Sequence, residues 1–347
     1  MDSAIPDHLR CPRTREARAS ESYRPPNPAF CARLAPSVSQ VVMAFHGAQY
    51  RCAEGRQVAR QGLAKLRRTA QESARPPQDD MAFTVDEAGY ETLVWASYWT
   101  DAEAYGQWER AVAGWWDSNE RLQGSVGWFR EIATPRAERF ETLLSTPDRP
   151  EGVARLAASM SSEIREHGYW GSMRDRLPAS QTDALRAGAA SEAPAWGQRV
   201  RLGGFDNLAL IRSGQDWSDT EGDERRLYLQ TIEPRLREGM DYLRDQGAAI
   251  GCLGNRYLVR VDADHNPVEC SYGLSWWRDL EQMERWSESH PTHVEIFGAF
   301  MRMVQRLEFR LDLRLYHEVS VLRAEDQRYE YVNCHPGTGL LRAWACA

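Results

Sequence analysis

Two tryptophan-centred stretches decide the fold class of this chain. They are Trp99-Thr100-Asp101-Ala102-Glu103, with Trp108 behind it, and Trp277-Arg278-Asp279-Leu280-Glu281, with Trp286 behind it. In both, the second tryptophan follows the first by nine positions, and the aspartate is a typical helix N-cap residue at the end of a strand-like run. The chain therefore either repeats one strand-to-helix unit or shows a coincidence in a tryptophan-rich sequence.

The two copies differ in where histidines fall. Alignment on these tryptophans places His293 at the position of Trp115. Downstream, Phe129-Arg130-Glu131-Ile132 resembles Tyr316-His317-Glu318-Val319, which places His317 at the position of Arg130. Each copy is a β-α-β-type unit too small to close its own core, so we expect the two to pack sheet against sheet. Because only the second copy has histidines at these positions, we expect a functional site in the second copy.

Apolar periodicity extends this pattern along the chain. Helices are predicted at 55–72, 101–116 and 219–245, with a further helix after Asp279, and strands at 41–50, 92–99, 208–212, 256–261 and 268–276. A tight turn at 264–267 joins the last two strands, which favours α+β units with antiparallel sheets over a doubly wound parallel sheet. The first forty residues are rich in Pro and Arg and predict an arm.

Composition sets the broad class. The 347 residues are 42% hydrophobic and 27% charged, enough to bury a large core. The net charge of −7 argues against nucleic acid or an anionic membrane as the main partner. The longest stretch without a charged residue, 34–50, is too polar to cross a membrane, and the amino end lacks the pattern of a secretory signal. Seven cysteines without a C-x-x-C pair suggest reduced thiols, so we predict a cytoplasmic protein.

Common catalytic motifs are absent from the sequence. It contains no P-loop, no G-x-G-x-x-G after a strand, no G-x-S-x-G and no H-E-x-x-H. Among the eight histidines, His290 and His293 form the only close pair, and a zinc site there would need further ligands from afar.

Two histidines stand in settings that allow either a structural or a functional role. His293 precedes the apolar helix face of Ile296, Phe297 and Phe300, which is suited to a flat hydrophobic ligand but also to an ordinary core. His317 lies in an alternating strand on the same face as Val319. A buried imidazole there requires a hydrogen-bond partner or has a functional role, such as proton transfer.

Three further residues are weaker candidates when taken alone. Ser213 lies where a strand is predicted to meet Gly214, and Arg176 lies in an aperiodic segment, 168–176, where an ion pair with Asp175 is the default reading. Glu141 has no distinguishing context.

The longer sequence segments that contain these residues resemble those of one family, the haem-containing aldoxime dehydratases. The resemblance covers nearly the whole length of the chain. The blocks that carry the resemblance include Glu166-His167-Gly168-Tyr169-Trp170-Gly171-Ser172-Met173-Arg174, Ile211-Arg212-Ser213-Gly214-Gln215-Asp216-Trp217, Ser289-His290-Pro291-Thr292-His293 and Leu315-Tyr316-His317-Glu318-Val319. Blocks of this length in a fixed order are more specific than any short motif.

The resemblance implies roles for the five candidates. His293 is expected to be the axial ligand of a b-type haem iron, ferrous in the active form, and His317 the distal acid-base group. Ser213 is expected to bond the oxime oxygen, with Arg176 and Glu141 as supporting polar residues. The implied reaction converts an aldoxime to a nitrile and water, with the oxime nitrogen on the iron and a charged His317 as proton donor. A peroxidase-like haem enzyme, a haem carrier or sensor, and a haem-free binding protein are the alternatives.

The resemblance also implies an architecture. Two ferredoxin-like repeats are expected to form a dimeric α+β-barrel-type body, with haem between sheet and helix, in a chain that pairs as a homodimer. We place an N-terminal arm at 1–40, the first half at 41–150, a connecting segment that contributes to the distal pocket at 151–198, and the second half, carrying the haem ligand, at 199–347.

Overall fold

One antiparallel sheet organises the molecule. The computed structural model describes residues 1–189 and 193–345, and within them eleven strands form this sheet and two more form a small separate one. The strands are β1 (Ala32–Arg33), β2 (Val42–Tyr50), β3 (Gln78–Val85), β4 (Glu91–Trp99), β5 (Gly127–Ala133), β6 (Phe140–Leu144), β7 (Ser159–Met160), β8 (Arg199–Leu202), β9 (Leu208–Asp216), β10 (Cys252–Val261), β11 (Pro267–Trp277), β12 (Arg314–Leu322) and β13 (Gln327–Val332).

Helices follow the strands in both parts of the chain. They are α1 (Ala53–Ser73), α2 (Ala102–Trp116), α3 (Ser172–Arg176), α4 (Gly222–Leu227), α5 (Glu233–Gln246), α6 (Leu280–Ser289), α7 (Pro291–Arg306) and α8 (Arg342–Ala345), and a π-helical turn at Tyr228–Ile232 joins α4 to α5. Asp101 and Asp279 cap α2 and α6 through their side chains, as the sequence predicts. The prediction of an α+β fold with antiparallel sheets is confirmed.

Two units of the chain have the same strand order. In residues 42–133, the first unit, the order is β3-β4-β2-β5, and in residues 208–322, the second unit, it is β10-β11-β9-β12. Pairing of β3 with β10 joins the units into one sheet. Each outer edge is extended by strands from elsewhere, because β6 pairs with β12, and β13 and β8 follow β5.

The sheet is curled, so that one face is turned inward. Although β12 and β2 are far apart in the strand order, the Ser320 hydroxyl contacts Met43 Sδ at 3.6 Å. The rings of Phe45 and Trp276, one from each unit, meet edge to face at 6.4 Å. The main core therefore lies inside the curl and ties the two units together.

Helices cover the outer faces. In the first unit, α1 and α2 pack over the sheet, and the rings of Trp95, Trp99 and Trp108 are fully buried there. In the second unit, α5 and α6 cover the outer face with Met240 and Met283 among their buried side chains. Within residues 1–189 and 193–345, each helix falls short of the length and apolar character needed to cross a membrane.

Gly47 gives a test of this packing. A Cβ at Gly47 would lie 2.0 Å from the Phe129 ring, which is buried between Tyr331 and Arg256. We expect Gly47→Ala to lower the free energy of unfolding by about 1–3 kcal/mol through overpacking. Gly114→Ala is the matched control, because its Cβ would meet no atom within 4 Å in α2. It should leave stability unchanged or raise it by up to about 1 kcal/mol in denaturant unfolding. Equal losses in both variants would contradict the packing described.

Candidate active site

Strand pairing brings three of the five candidate residues onto one face of the sheet. Ser213 in β9 and His317 in β12 are directly opposite each other, so their side chains point to the same side. On the other flank of β12, Glu141 in β6 is opposite Val319, which lies two residues from His317 and on its face. This is the outer face of the second unit, below α6 and α7.

The prediction that the strand carrying Ser213 ends at Arg212 is wrong. β9 continues to Asp216, so Ser213 lies within a strand and not at its end. The ring of Tyr316 lies over Gly214, and a Cβ at this position would be 2.0 Å from the ring. The glycine therefore makes room for a neighbouring side chain and does not end the strand. Ser213 is therefore held by pairing with strands on both sides, β11 and β12.

The centre of this face is less closely packed than a sheet interior normally is. Five side chains on β6, β9 and β12 remain half-buried, whereas Arg212 and Glu318, next to two of them in the sequence, are buried on the opposite face. The five are Leu143, Ile211, Ser213, Leu315 and His317. A partly accessible patch in the middle of a covered sheet indicates a space between the sheet and the helix above it.

His293 faces this space from α7. The helix begins at Pro291, a favoured first residue, and His293 lies in its first turn. Its ring contacts those of Trp286 and Trp170, with centroids at 4.6 and 5.7 Å. Its Nδ1 is buried and makes no hydrogen bond within the described part of the chain. Burial lowers the pKa of His293 to about 4, although the Ser287 carbonyl opposes the shift.

His317 shares this electrostatic environment. Burial lowers its pKa to about 4, with contributions from the charges of Arg176 and His293. The two imidazoles are therefore near enough for their charges to interact. The neutral imidazole of His317 is therefore favoured at neutral pH in the haem-free protein. Its position between an arginine and a second histidine disfavours another positive charge.

Arg176 is paired with Glu141, and the default expectation of a surface ion pair with Asp175 is wrong. Both partners are buried, and Arg176 donates from Nε and Nη2 to the two Glu141 oxygens at 2.6 and 3.0 Å. Its Nη1 donates to the Glu166 carbonyl and the Ser172 hydroxyl. Asp175 instead accepts from Tyr169 Oη at 2.8 Å. Arg176 is thus fixed by four contacts and supplies a permanent charge beside His317.

The other histidines near the site behave differently. His290 caps α7, and its Nδ1 lies 2.9 Å from Thr292 Oγ1, so it does not converge with His293 as a zinc pair would. His167, which was not singled out from the sequence, is buried beside Arg176 with Nε2 unpartnered, and burial lowers its pKa to about 4. The half-buried Leu143 and Ile211 were also missed. Strand alternation around Ser213 and His317 was the signal that could have found them.

These residues fit a flat, largely apolar ligand with a metal at its centre. His293 is a suitable imidazole ligand, because a neutral ring is needed to bind a metal and burial favours the neutral form of this one. Trp170 and Phe297 lie beside it with rings 5.1 Å apart and remain partly exposed, as the rim of such a site would be. One histidine that faces an apolar sheet surface is a donor set typical of haem.

The fold and the site thus define an α+β protein of the haem-binding class. Comparison with known proteins makes the assignment specific, because the family model for haem-containing dehydratases matches residues 44–340. The chain belongs to this family. The predictions of a haem cofactor and of a lyase are confirmed by this membership.

The similarity extends over whole chains. An aliphatic aldoxime dehydratase from Rhodococcus globerulus is 47% identical, with 99% of this chain and 98% of the relative covered. A phenylacetaldoxime dehydratase from Bacillus sp. (strain OxB-1) is 31% identical over 92% of this chain and 93% of its own. A crystal structure of an aldoxime dehydratase in complex with butyraldoxime has a TM-score of 0.94 at 47% identity, covering 99% of this chain and 96% of that one.

The charge of Arg176 gives a testable consequence in the haem-free protein. Arg176→Gln should raise the pKa of His317 from about 4 toward its ordinary value, because one of the charges that disfavours the imidazolium is removed. The measurement is a pH titration of histidine ring resonances by NMR. Arg174→Gln is the control, since Arg174 pairs with Glu284 instead. An unchanged His317 titration in Arg176→Gln would show that the two groups are not coupled.

Proposed function

We propose that this chain dehydrates aldoximes to nitriles, R–CH=N–OH giving R–C≡N and water, on a b-type haem held by His293. The observation that carries the proposal is the cross-strand pair of Ser213 and His317 on an open sheet face, opposite an imidazole from α7. A hydroxyl and an imidazole side by side can bind the oxime hydroxyl and exchange a proton with it. Relatives named as aldoxime dehydratases support the substrate class.

Haem would be held from one side by His293, with Trp170 and Phe297 at its rim. When bound in its ferrous form, it supplies an open coordination position for the oxime nitrogen and electron density for cleavage of the N–O bond. The half-buried apolar side chains beside Ser213 and His317 exclude water from the reacting atoms.

The proton balance gives His317 its role. Cleavage of the N–O bond requires a proton on the leaving hydroxyl, and formation of the triple bond releases the proton on carbon. His317 donates the first and accepts the second, so it ends each cycle as it began. Because its pKa lies near 4 without substrate, the donating form is a minor species at pH 7. Contact with the substrate must then stabilise the protonated form of His317.

Ser213 and Arg176 have separate tasks in this scheme. The Ser213 hydroxyl lies beside His317 and fixes the oxime oxygen. Arg176 is occupied by Glu141, Glu166 and Ser172, so it acts mainly through its charge, which favours the developing negative oxygen. Glu141 keeps that charge in place, since an unpaired buried arginine would be costly.

The proposal includes the organisation of the chain. The two units are copies of one ferredoxin-like repeat, and the second carries the haem ligand while the segment 151–198 supplies Arg176. Two chains assemble as a homodimer, and the protein acts in the cytoplasm.

The experiment that tests the activity uses the purified holoenzyme. It is reduced with dithionite without oxygen, and visible spectra are recorded while butyraldoxime or phenylacetaldoxime is added and nitrile is measured. We expect a Soret band that shifts on addition and returns as nitrile accumulates. A Soret band indifferent to both aldoximes, with no nitrile, would favour a peroxidase or a haem carrier. A colourless protein that takes up no added haem would overturn the cofactor site.

The two histidines should lose different properties when replaced. His293→Ala should lose haem, because no other imidazole faces the space from α7. His317→Ala should keep haem and lose about 10²–10⁴-fold in turnover, the usual contribution of general acid-base catalysis. Haem content is measured by the pyridine haemochrome spectrum and turnover by nitrile formation. Near-normal turnover in His317→Ala would show that another group moves the proton.

A further inference from the structure

The residues beside Ser213 and His317 in the sequence point to the inside of the curled sheet. Arg212 in β9 and Glu318 in β12 are cross-strand partners, one position before Ser213 and one after His317. Since side chains alternate across a strand, each site residue has a neighbour anchored on the opposite face. Arg212 and Glu318 are both buried in the interior between the two units.

A phenol from the first unit connects these two anchors. Arg212 Nη1 donates to Tyr98 Oη at 2.7 Å, and the Tyr98 hydroxyl donates to Glu318 Oε1 at 2.6 Å. Arg212 also donates to Asp80 Oδ2 at 2.8 Å and to Tyr316 Oη at 2.9 Å. The strands that carry Ser213 and His317 are thus bonded through one oxygen atom of β4.

Two glycines leave room for this cluster. Gly152 has a φ of +55°, and a Cβ there would lie 2.2 Å from Glu318 Oε2. The next residue, Val153, donates its backbone N–H to that oxygen at 2.7 Å. Gly214 admits the Tyr316 ring in the same way, as described above. The backbone on both sides is therefore shaped around these buried polar groups.

Resting on the proposed function, we propose that Tyr98 is a positioning residue for the reaction: through Arg212 and Glu318 it fixes the relative placement of Ser213 and His317. A small rotation of β9 or β12 would separate groups that must act on one oxime hydroxyl. It would also leave a buried guanidinium or carboxylate without a partner, which is strongly disfavoured. The cluster therefore resists the motion that would disturb the site.

Tyr98→Phe removes the bridging oxygen and little else. We expect kcat to fall about tenfold with KM and haem content unchanged, because small misplacements remote from the chemistry reduce rates to this degree or more. The C–O stretch of the ferrous carbon monoxide complex, which reports the polar groups near the ligand, should shift or broaden.

Tyr331→Phe is the matched control. Tyr331 is buried in the same interior and donates to Glu131 Oε1 at 2.6 Å, and Glu131 pairs with Arg256. This second tyrosine–carboxylate–arginine cluster lies behind β5 and β13 of the sheet and not behind the site. Tyr331→Phe should keep the parent kcat and C–O stretch, even where its loss of stability equals that of Tyr98→Phe.

Each outcome decides the proposal. Parent-like kcat and C–O stretch in Tyr98→Phe, or equal changes in Tyr331→Phe, would overturn it. Glu318→Gln serves as a second variant and should act as Tyr98→Phe does. If both fail to fold with haem while Tyr331→Phe succeeds, the cluster is required for folding, and the positioning role is wrong. If the parent enzyme produces no nitrile, the proposed function fails, yet the C–O stretch comparison still decides whether Tyr98 positions the site residues.

Discussion

The alternation of side chains along β9 and β12 is the constraint on which the rest of the structure depends. Each strand must serve two faces at once, because odd and even residues point to opposite sides. One face holds Ser213 and His317, and the other holds Arg212 and Glu318. A shift of β12 by one residue against β9 would place Glu318 at the site and His317 in the interior. The register is therefore as important to the site as the residues themselves.

Burial explains the protonation states on both faces. Within residues 1–189 and 193–345, no carboxylate forms a hydrogen bond with the imidazole of His293 or His317, and desolvation lowers the pKa of each to about 4. Buried arginines are instead paired with carboxylates, as Arg176 is with Glu141 and Arg212 is with Asp80. Neutral histidines suit metal binding and proton exchange, whereas fixed arginines supply charge that does not change during a reaction.

The sequence predicted much of the local structure and part of the site. The N-caps Asp101 and Asp279 and the strands beside them follow from side-chain chemistry within a few residues, which is visible in one dimension. The partner of Arg176 was not visible, because Glu141 is 35 positions away and reaches it only after β6 joins the edge of the second unit. The continuation of β9 past Gly214 was missed for a similar reason, since Tyr316, which accounts for the glycine, belongs to another strand.

Comparison of the two units explains why the site is in the second. Val42 pairs with Trp99 and Ala209 pairs with Trp277, so the positions equivalent to Ser213 and His317 are His46 and Arg130, which are also cross-strand partners. In the first unit the His46 ring is enclosed by Trp95, Trp108 and Trp116 at 4.9–5.9 Å, which leaves no space between sheet and helix. The same strand order therefore supports a filled face in one unit and an open one in the other. Part of the difference lies in the sheet itself, because His46 pairs with Trp95 whereas Ser213 pairs with Gly273. The filled unit supplies Asp80 and Tyr98, against which the open unit is anchored.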